Sequence, residues 1–278
     1  MRFQRIPPSL AVGVRRGVAT IALTTQPLWL LAGIAVVATL LAAAGPVVVR
    51  RFIGLERLGA NNEVAGFKFA NVGVLYAVLL AFAVILVWEE YNDAAKAVVD
   101  EAGAAVSVYR LADGIGGAPG KSIHDTLSAY LKSAIADDWP AMAEGGASPV
   151  ANRALNAVYA AALTFHPADL RDAGIQGEIL RQLDTLTRAR RDRLDMAEGT
   201  APGVIWFVLF GGSLVTVCFT FFFGTENLRA QSLMTGILAA MIFAVLVVVI
   251  AIDHPFAGEV HVTPDPLAAA LADFTAVP

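Results

Sequence analysis

Residues Phe69 to Trp88 read FANVGVLYAVLLAFAVILVW, an unbroken run with no Asp, Glu, Lys, Arg or His. A bilayer core about 30 Å thick needs about 20 mostly apolar residues in a helix, so this run fits one crossing. Charge brackets it: Lys68 stands before it, and Glu89-Glu-Tyr-Asn-Asp93 follows. No glycine or proline breaks the chain from Trp88 to Asp100, and Gly103 is the first small interruption before Tyr109. The spacing therefore predicts that the crossing continues as one long helix into water, although a kink at Glu89 would divide the same residues into two helices.

Three more windows meet the same requirement. They are Leu28 to Val49 (LWLLAGIAVVATLLAAAGPVVV), Val204 to Phe223 (VIWFVLFGGSLVTVCFTFFF) and Leu233 to Ile252 (LMTGILAAMIFAVLVVVIAI). None contains a charged residue or histidine. Composition agrees. Apolar residues make up 57% of the 278, where a soluble domain has roughly 45–50%. Charged residues make up 16%, where about 25% is usual. Mean hydropathy is +0.64. A water-soluble globule of this size cannot bury that much apolar surface. Helices satisfy their own backbone polar groups in lipid, and no alternation suited to a barrel strand is present. The first apolar run begins too late and runs too long for a cleaved signal, so it reads as an anchor.

The expected fold is an all-α membrane protein with four transmembrane helices and a helical cytoplasmic domain inserted between the second and third spans. The segments are a basic N-terminal arm (1–27), helices one and two (28–88), the cytoplasmic domain (89–203), helices three and four (204–252) and a short C-terminal tail (253–278). Four spans put both termini on one side. Lys and Arg near the spans mark the cytoplasm. Nine lie on the side of the termini and middle segment, among them Arg2, Arg5, Arg15, Arg16, Lys96 and four arginines from Arg188 to Arg193. Five lie opposite: Arg50, Arg51, Arg57, Lys68 and Arg229. The expectation is a multi-pass protein of the inner membrane with both termini cytoplasmic.

The middle segment divides at glycines and prolines: Asp113 to Gly120, Glu144 to Pro149, His166-Pro167 and Glu198 to Gly203. Between these breaks apolar residues recur at helical spacing. One stripe is Ala95, Val98, Val99, Ala102, Val106 and Tyr109; another is Ile175, Ile179, Leu183, Leu186 and Leu194. Ser122 and Asp125 form a helix-start pattern.

Two groups of residues carry functional readings. Glu89 and Asp93 are four apart, on one helix face, and that face continues upward through Ile85, Phe82 and Val78. Asp253 ends the fourth span at the same boundary. Around a symmetry axis these residues would form an apolar neck, Val78, Phe82 and Ile85, opening into a cytoplasmic acidic mouth of Glu89, Asp93 and Asp253. Carboxylate rings concentrate cations and apolar constrictions gate by dewetting. A solvated helix face at a membrane edge carries the same charges. Arg188, Arg190, Arg191 and Arg193 form a cluster suited to anionic lipid headgroups. Asp184, Asp192 and Asp195 interleave with them, which suits ion pairing equally well. Cys218 lies mid-span and reads as packing. His254, Glu259 and His261 sit around Pro255 and Gly258, which reads as a turn rather than a metal site.

Several blocks taken together resemble a known family. They are Gly73 to Tyr91, Asp100-Glu-Ala102, Tyr109-Arg110, Asp138-Trp-Pro140, Arg190-Arg-Asp-Arg-Leu194 and Asp253-His-Pro-Phe-Ala-Gly-Glu259. Their order is similar to that of bacterial bestrophin-like membrane proteins, a family defined by a domain of unknown function, from about Gly66 to Leu267. The resemblance implies a likeness to bestrophins: pentameric ion channels with four spans per subunit, a helical cytosolic domain and an apolar neck on the second span. Onto this sequence the neck carries to Val78, Phe82 and Ile85.

The expected function is therefore an oligomeric ion channel whose pore is lined by the second span. A non-conducting membrane scaffold or sensor, whose helical domain binds a protein partner, is the alternative. Expected partners are the lipid bilayer, further copies of the chain and inorganic ions, with no nucleic acid, since the formal charge is −4. No nucleophile elbow, HExxH motif or Walker loop occurs, so neither enzymatic activity nor a cofactor or metal is expected.

Overall fold

The computed structural model describes residues 26–60, 62–199 and 202–276. The basic arm, with its four arginines, falls outside the described residues except at its end. All regular structure among the described residues is helical, with no strand. The helices are α1 (Leu28–Phe52), α2 (Leu55–Gly59), α3 (Asn62–Ile115), α4 (Gly117–Ser133), α5 (Trp139–Ala143), α6 (Pro149–Thr164), α7 (Leu170–Asp195), α8 (Gly203–Thr220), α9 (Leu228–Ile252) and α10 (Asp265–Ala276). Four of them, α1, α3, α8 and α9, are long and apolar enough to cross a membrane. The continuation of the second span is present as the single 54-residue helix α3.

The chain divides into two compact units, residues 1–89 with 200–253, and residues 90–199 with 254–278. In the first unit α1 runs along α9, and α8 packs on both. Close approach rests on small residues, as expected where lipid supplies no hydrophobic drive between helices. A Cβ on Gly212 of α8 would come within 2.5 Å of the Tyr76 ring of α3. That ring is held in turn by its hydroxyl, which donates to the Leu209 carbonyl at 3.0 Å. At the α8–α9 turn the Asn62 amide donates to the Gly224 carbonyl and accepts from the Gly224 N–H at 2.9 Å. Arg50 donates to the Thr225 carbonyl at 2.7 Å. α8 ends at Thr220, three residues before the apolar window does, because Phe221 to Gly224 turn back towards α2 and α3.

The second unit has its own core. Val98, Ala105 and Val108 of α3 meet Ile123, Leu127 and Leu131 of α4, Leu155 and Val158 of α6, and Ile179, Leu183 and Leu186 of α7. The tail belongs to this core: α10 contributes Leu267, Ala270 and Phe274. Phe274 stacks on Tyr109 with ring centroids 4.0 Å apart, and the Tyr109 hydroxyl donates to its carbonyl at 3.0 Å. Two local expectations are corrected. The loop expected over Asp113 to Gly120 shrinks to a turn at Gly116 and Gly117, whose φ of 67° and 56° only glycine adopts readily. α4 consequently starts at Gly117 rather than at Ser122.

Candidate functional site

Two sets of side chains stand out, one in each unit. In the first unit, Val78, Phe82, Ile85 and Glu89 follow one face of α3 at steps of four, three and four residues. In isolation that face is uncovered: Val78 is 48% exposed, Phe82 66% and Ile85 50%. Glu89 is exposed, and so is Asp93, the next step of the same stripe. The opposite side of the helix is covered, with Tyr76, Ala83 and Val87 at 5% or less. At 100° per residue these buried positions lie roughly half a turn from the stripe. Beside it an apolar groove of about 430 Å³ runs between Leu79, Phe82 and Leu86 of α3 and Val204 and Val208 of α8, with Glu89 at its edge. Asp253 does not join the exposed carboxylates. It is only 2% exposed at the C-terminal end of α9, which removes it from a water-facing mouth.

The second set lies inside the helical unit. Arg193 is fully buried, and its Nε and Nη2 donate to the two Glu101 carboxylate oxygens at 2.7 and 3.1 Å. Nη2 also reaches Asp138 at 3.3 Å, and Nη1 points at the Met142 sulfur at 3.0 Å. The guanidinium lies 4.7 Å from the Trp139 ring centroid, a cation–π distance. Arg190 grips Asp138 with Nε at 2.9 Å and Nη2 at 3.2 Å. The Ser148 N–H donates to the same carboxylate at 2.9 Å. The buried Tyr130 hydroxyl donates to Glu101.

Local structure positions each member. A five-residue π-helical stretch, Ala134–Asp138, joins α4 to α5 and turns Asp138 and Trp139 inward. Such stretches reset side-chain register and concentrate at functional sites. Arg190 and Arg193 lie on the buried face of α7, one and two turns beyond Leu186. Two guanidinium groups face two carboxylates, so the network is formally neutral. Burial alone would lower the Arg193 pKa, but the Glu101 carboxylate outweighs it, with Tyr130 and Asp138 adding, and the pKa ends above its usual value. Burial, reinforced by Glu101, pushes the Tyr130 hydroxyl well above 10. The group holds fixed charge and a bound proton. It presents no nucleophile to solvent.

This arrangement corrects the headgroup expectation for two of the four arginines. Arg190 and Arg193 are interior ion-pair partners, not surface charges. Arg188 is exposed and pairs with Asp184 at 2.7 Å, and Arg191 is exposed. Around Pro255 the backbone forms the expected turn, with the Val262 N–H donating to the Pro255 carbonyl at 2.7 Å and His261 against the Gly258 carbonyl at 2.9 Å. Among the described residues no three His, Cys, Asp or Glu side chains gather as a metal would require. The Glu101–Arg193–Asp138–Arg190 network was missed at the sequence level, though α7 held a signal. Ile179, Leu183, Leu186, Arg190 and Arg193 keep one helical face, so the arginines occupy core positions.

An all-helical chain with four long apolar helices, a helical unit and a buried arginine–carboxylate network defines the class. The particular family follows: residues 36–267 match the Bestrophin-like domain, and the chain belongs to that family. No curated protein matches it in sequence. Solved structures share its fold. A tyrosine-to-alanine variant of a bacterial bestrophin homologue from Klebsiella pneumoniae superposes with a TM-score of 0.65 at 14% identity, covering 87% of this chain and 98% of that one. A leucine-to-threonine variant of the same homologue gives 0.63 at 15% identity, with the same coverage. A proline-to-alanine variant described as a membrane protein gives 0.65 at 15% identity, again with that coverage.

Proposed function

We propose that this chain is one subunit of a homo-oligomeric ion channel in a bacterial inner membrane, with a pore lined by α3. The observation that carries this reading is the exposed stripe of Val78, Phe82, Ile85, Glu89 and Asp93, opposite the buried Tyr76, Ala83 and Val87. In this reading segments 28–88 and 204–252 lie in the bilayer. The segment 89–203, joined by the packed tail, forms the cytoplasmic part, and the excess of Lys and Arg on that side supports the same location for both termini. Outward-facing side chains such as Leu41 and Phe207, 69% and 77% exposed, suit acyl chains and not water. Copies arranged around α3 would ring an axis with Val78, Phe82 and Ile85. That apolar constriction sheds water when narrow. Glu89 and Asp93 would form a carboxylate ring beyond it and raise the local cation concentration. The network around Arg193 ties α3, α4, α7 and the π-helical stretch of the second unit into one body. Nothing in the reading requires catalysis.

The test is reconstitution into liposomes with separate fluorescence readouts for potassium and chloride flux. Flux is expected from the purified chain, and Glu89→Gln with Asp93→Asn should lower cation relative to anion flux. A preparation that assembles as a ring and passes neither ion at any potential or pH overturns the reading.

A further inference from the structure

A second cavity, of about 410 Å³, opens on the helical unit between α6, α7 and the Gly145–Ala147 turn. Its size suits a small metabolite. The apolar floor is Leu155 and Leu194, and the polar wall is Asn152, Asn156, Tyr159, Arg191 and Asp195. Most of this wall is uncommitted. The side chains of Asn152, Asn156, Arg191 and Asp195 make no hydrogen bond or ion pair among the described residues. Arg191 and Asp195 are one turn apart on α7 with the cation N-terminal, the less favourable order for an ion pair, and the two are not paired with each other. The Tyr159 hydroxyl lies 2.9 Å from Thr187 Oγ1. Thr187 has already donated its proton to the Leu183 carbonyl at 2.7 Å. Tyr159 is therefore the donor in that pair, and its lone pairs remain available to accept from a ligand.

Arg190 also lines the cavity, although only 7% of it is exposed. Its Nε and Nη2 hold Asp138, which leaves Nη1 as the edge not committed to that carboxylate. The turn on the facing side is fixed by the same carboxylate through the Ser148 N–H. The wall is thus mounted on the rigid ion network, a preorganised setting for recognition.

We propose that this cavity binds a small zwitterion of the α-amino-acid class. Arg191, with the free edge of Arg190, receives the carboxylate. Asp195 receives the ammonium group. The amides of Asn152 and Asn156 and the Tyr159 oxygen read the side chain. The pairing follows from charge: the cavity offers one unpaired cation and one unpaired carboxylate one turn apart, which a ligand carrying an ammonium and a carboxylate group on one carbon satisfies together. A plain anion would leave Asp195 facing it with like charge.

The test uses the full chain in detergent and is independent of ion flux. Thermal shift and calorimetric titration are run with each of the twenty free L-amino acids, and with succinate and inorganic phosphate. At least one amino acid is expected to raise the melting temperature saturably. Arg191→Ala and Asp195→Ala should each weaken that ligand at least about tenfold, with the unliganded melting temperature unchanged because neither side chain holds the fold. Arg191→Lys should restore part of the affinity. No saturable shift from any amino acid overturns the proposal. So does binding of succinate or phosphate alone, or amino-acid binding that both alanine variants retain.

Discussion

Arg193 and Glu101 meet across 92 residues of chain, with Nε 2.7 Å from Oε2 and neither side chain exposed. The pair joins the last third of α3 to the end of α7, and Asp138 and Tyr130 satisfy the groups that it leaves over. Removing one partner strands a buried charge, which costs about 3–5 kcal/mol. Arg193→Met is therefore expected to lower the melting temperature sharply, or to prevent recovery of folded protein. Arg193→Lys keeps the charge but loses the bidentate fork, so it should fall between. Thermal unfolding of the detergent-purified chain by circular dichroism checks both. An unchanged transition in Arg193→Met would show that the network contributes nothing.

The Tyr130 hydroxyl gives the network a direction in pH. Its folded-state pKa lies well above 10 because burial and Glu101 both disfavour the phenolate. The unfolded chain binds that proton less tightly. The stabilising effect is complete below pH 10 and is lost as pH rises towards the folded pKa. Stability should thus decline on the alkaline side, and Tyr130→Phe should flatten that decline while leaving acid behaviour alone. The check is the melting temperature as a function of pH from 8 upward, about one pH unit per step. Equal alkaline slopes for both proteins would sink the assignment.

Much of this fold is legible in hydropathy, and the reason is physical. Lipid imposes a length and a composition on each span, so the four windows stand out from local sequence alone. The continuous α3 is visible in the same way, since no strong breaker follows Trp88. What stays hidden depends on partners distant in sequence. Arg190 and Arg193 read equally as headgroup contacts or as ion-pair partners of nearby aspartates, and the sequence does not choose because their partners, Asp138 and Glu101, lie some 50 and 90 residues away. Asp253 reads as a boundary carboxylate, and only the folded chain shows that it is buried. That Val78, Phe82, Ile85 and Glu89 share one face of α3 is legible from helical spacing, whereas the exposure of that face is set by which helices pack on the other side.

Packing in the first unit gives a sharper stability test at Gly212. A Cβ there would press on the Tyr76 ring at 2.5 Å, and the hydroxyl bond to Leu209 restrains that ring from swinging away. Overpacking of this kind costs about 1–3 kcal/mol. Gly212→Ala is expected to lower the melting temperature, and Tyr76→Ala alone should lower it by creating a void. The double variant should be less damaged than the sum of the two, because the added methyl fills part of the space vacated by the ring. Strict additivity would mean that the two residues are not in contact.

The neck can be separated from the fold because its side chains are exposed within one subunit. Phe82 is 66% exposed, so replacing it removes little packing inside the chain. If α3 lines the pore, Phe82→Asn places a ring of amides in the apolar constriction and lowers its resistance to water. Ion flux in liposomes should rise several-fold, with the melting temperature nearly unchanged. Leu41 on α1, 69% exposed, supplies the comparison, because Leu41→Asn makes a similar polar change on another helix. It should leave flux at the level of the unmodified protein. Flux that responds equally to both changes, or to neither, would show that the exposed face of α3 does not surround the ion path.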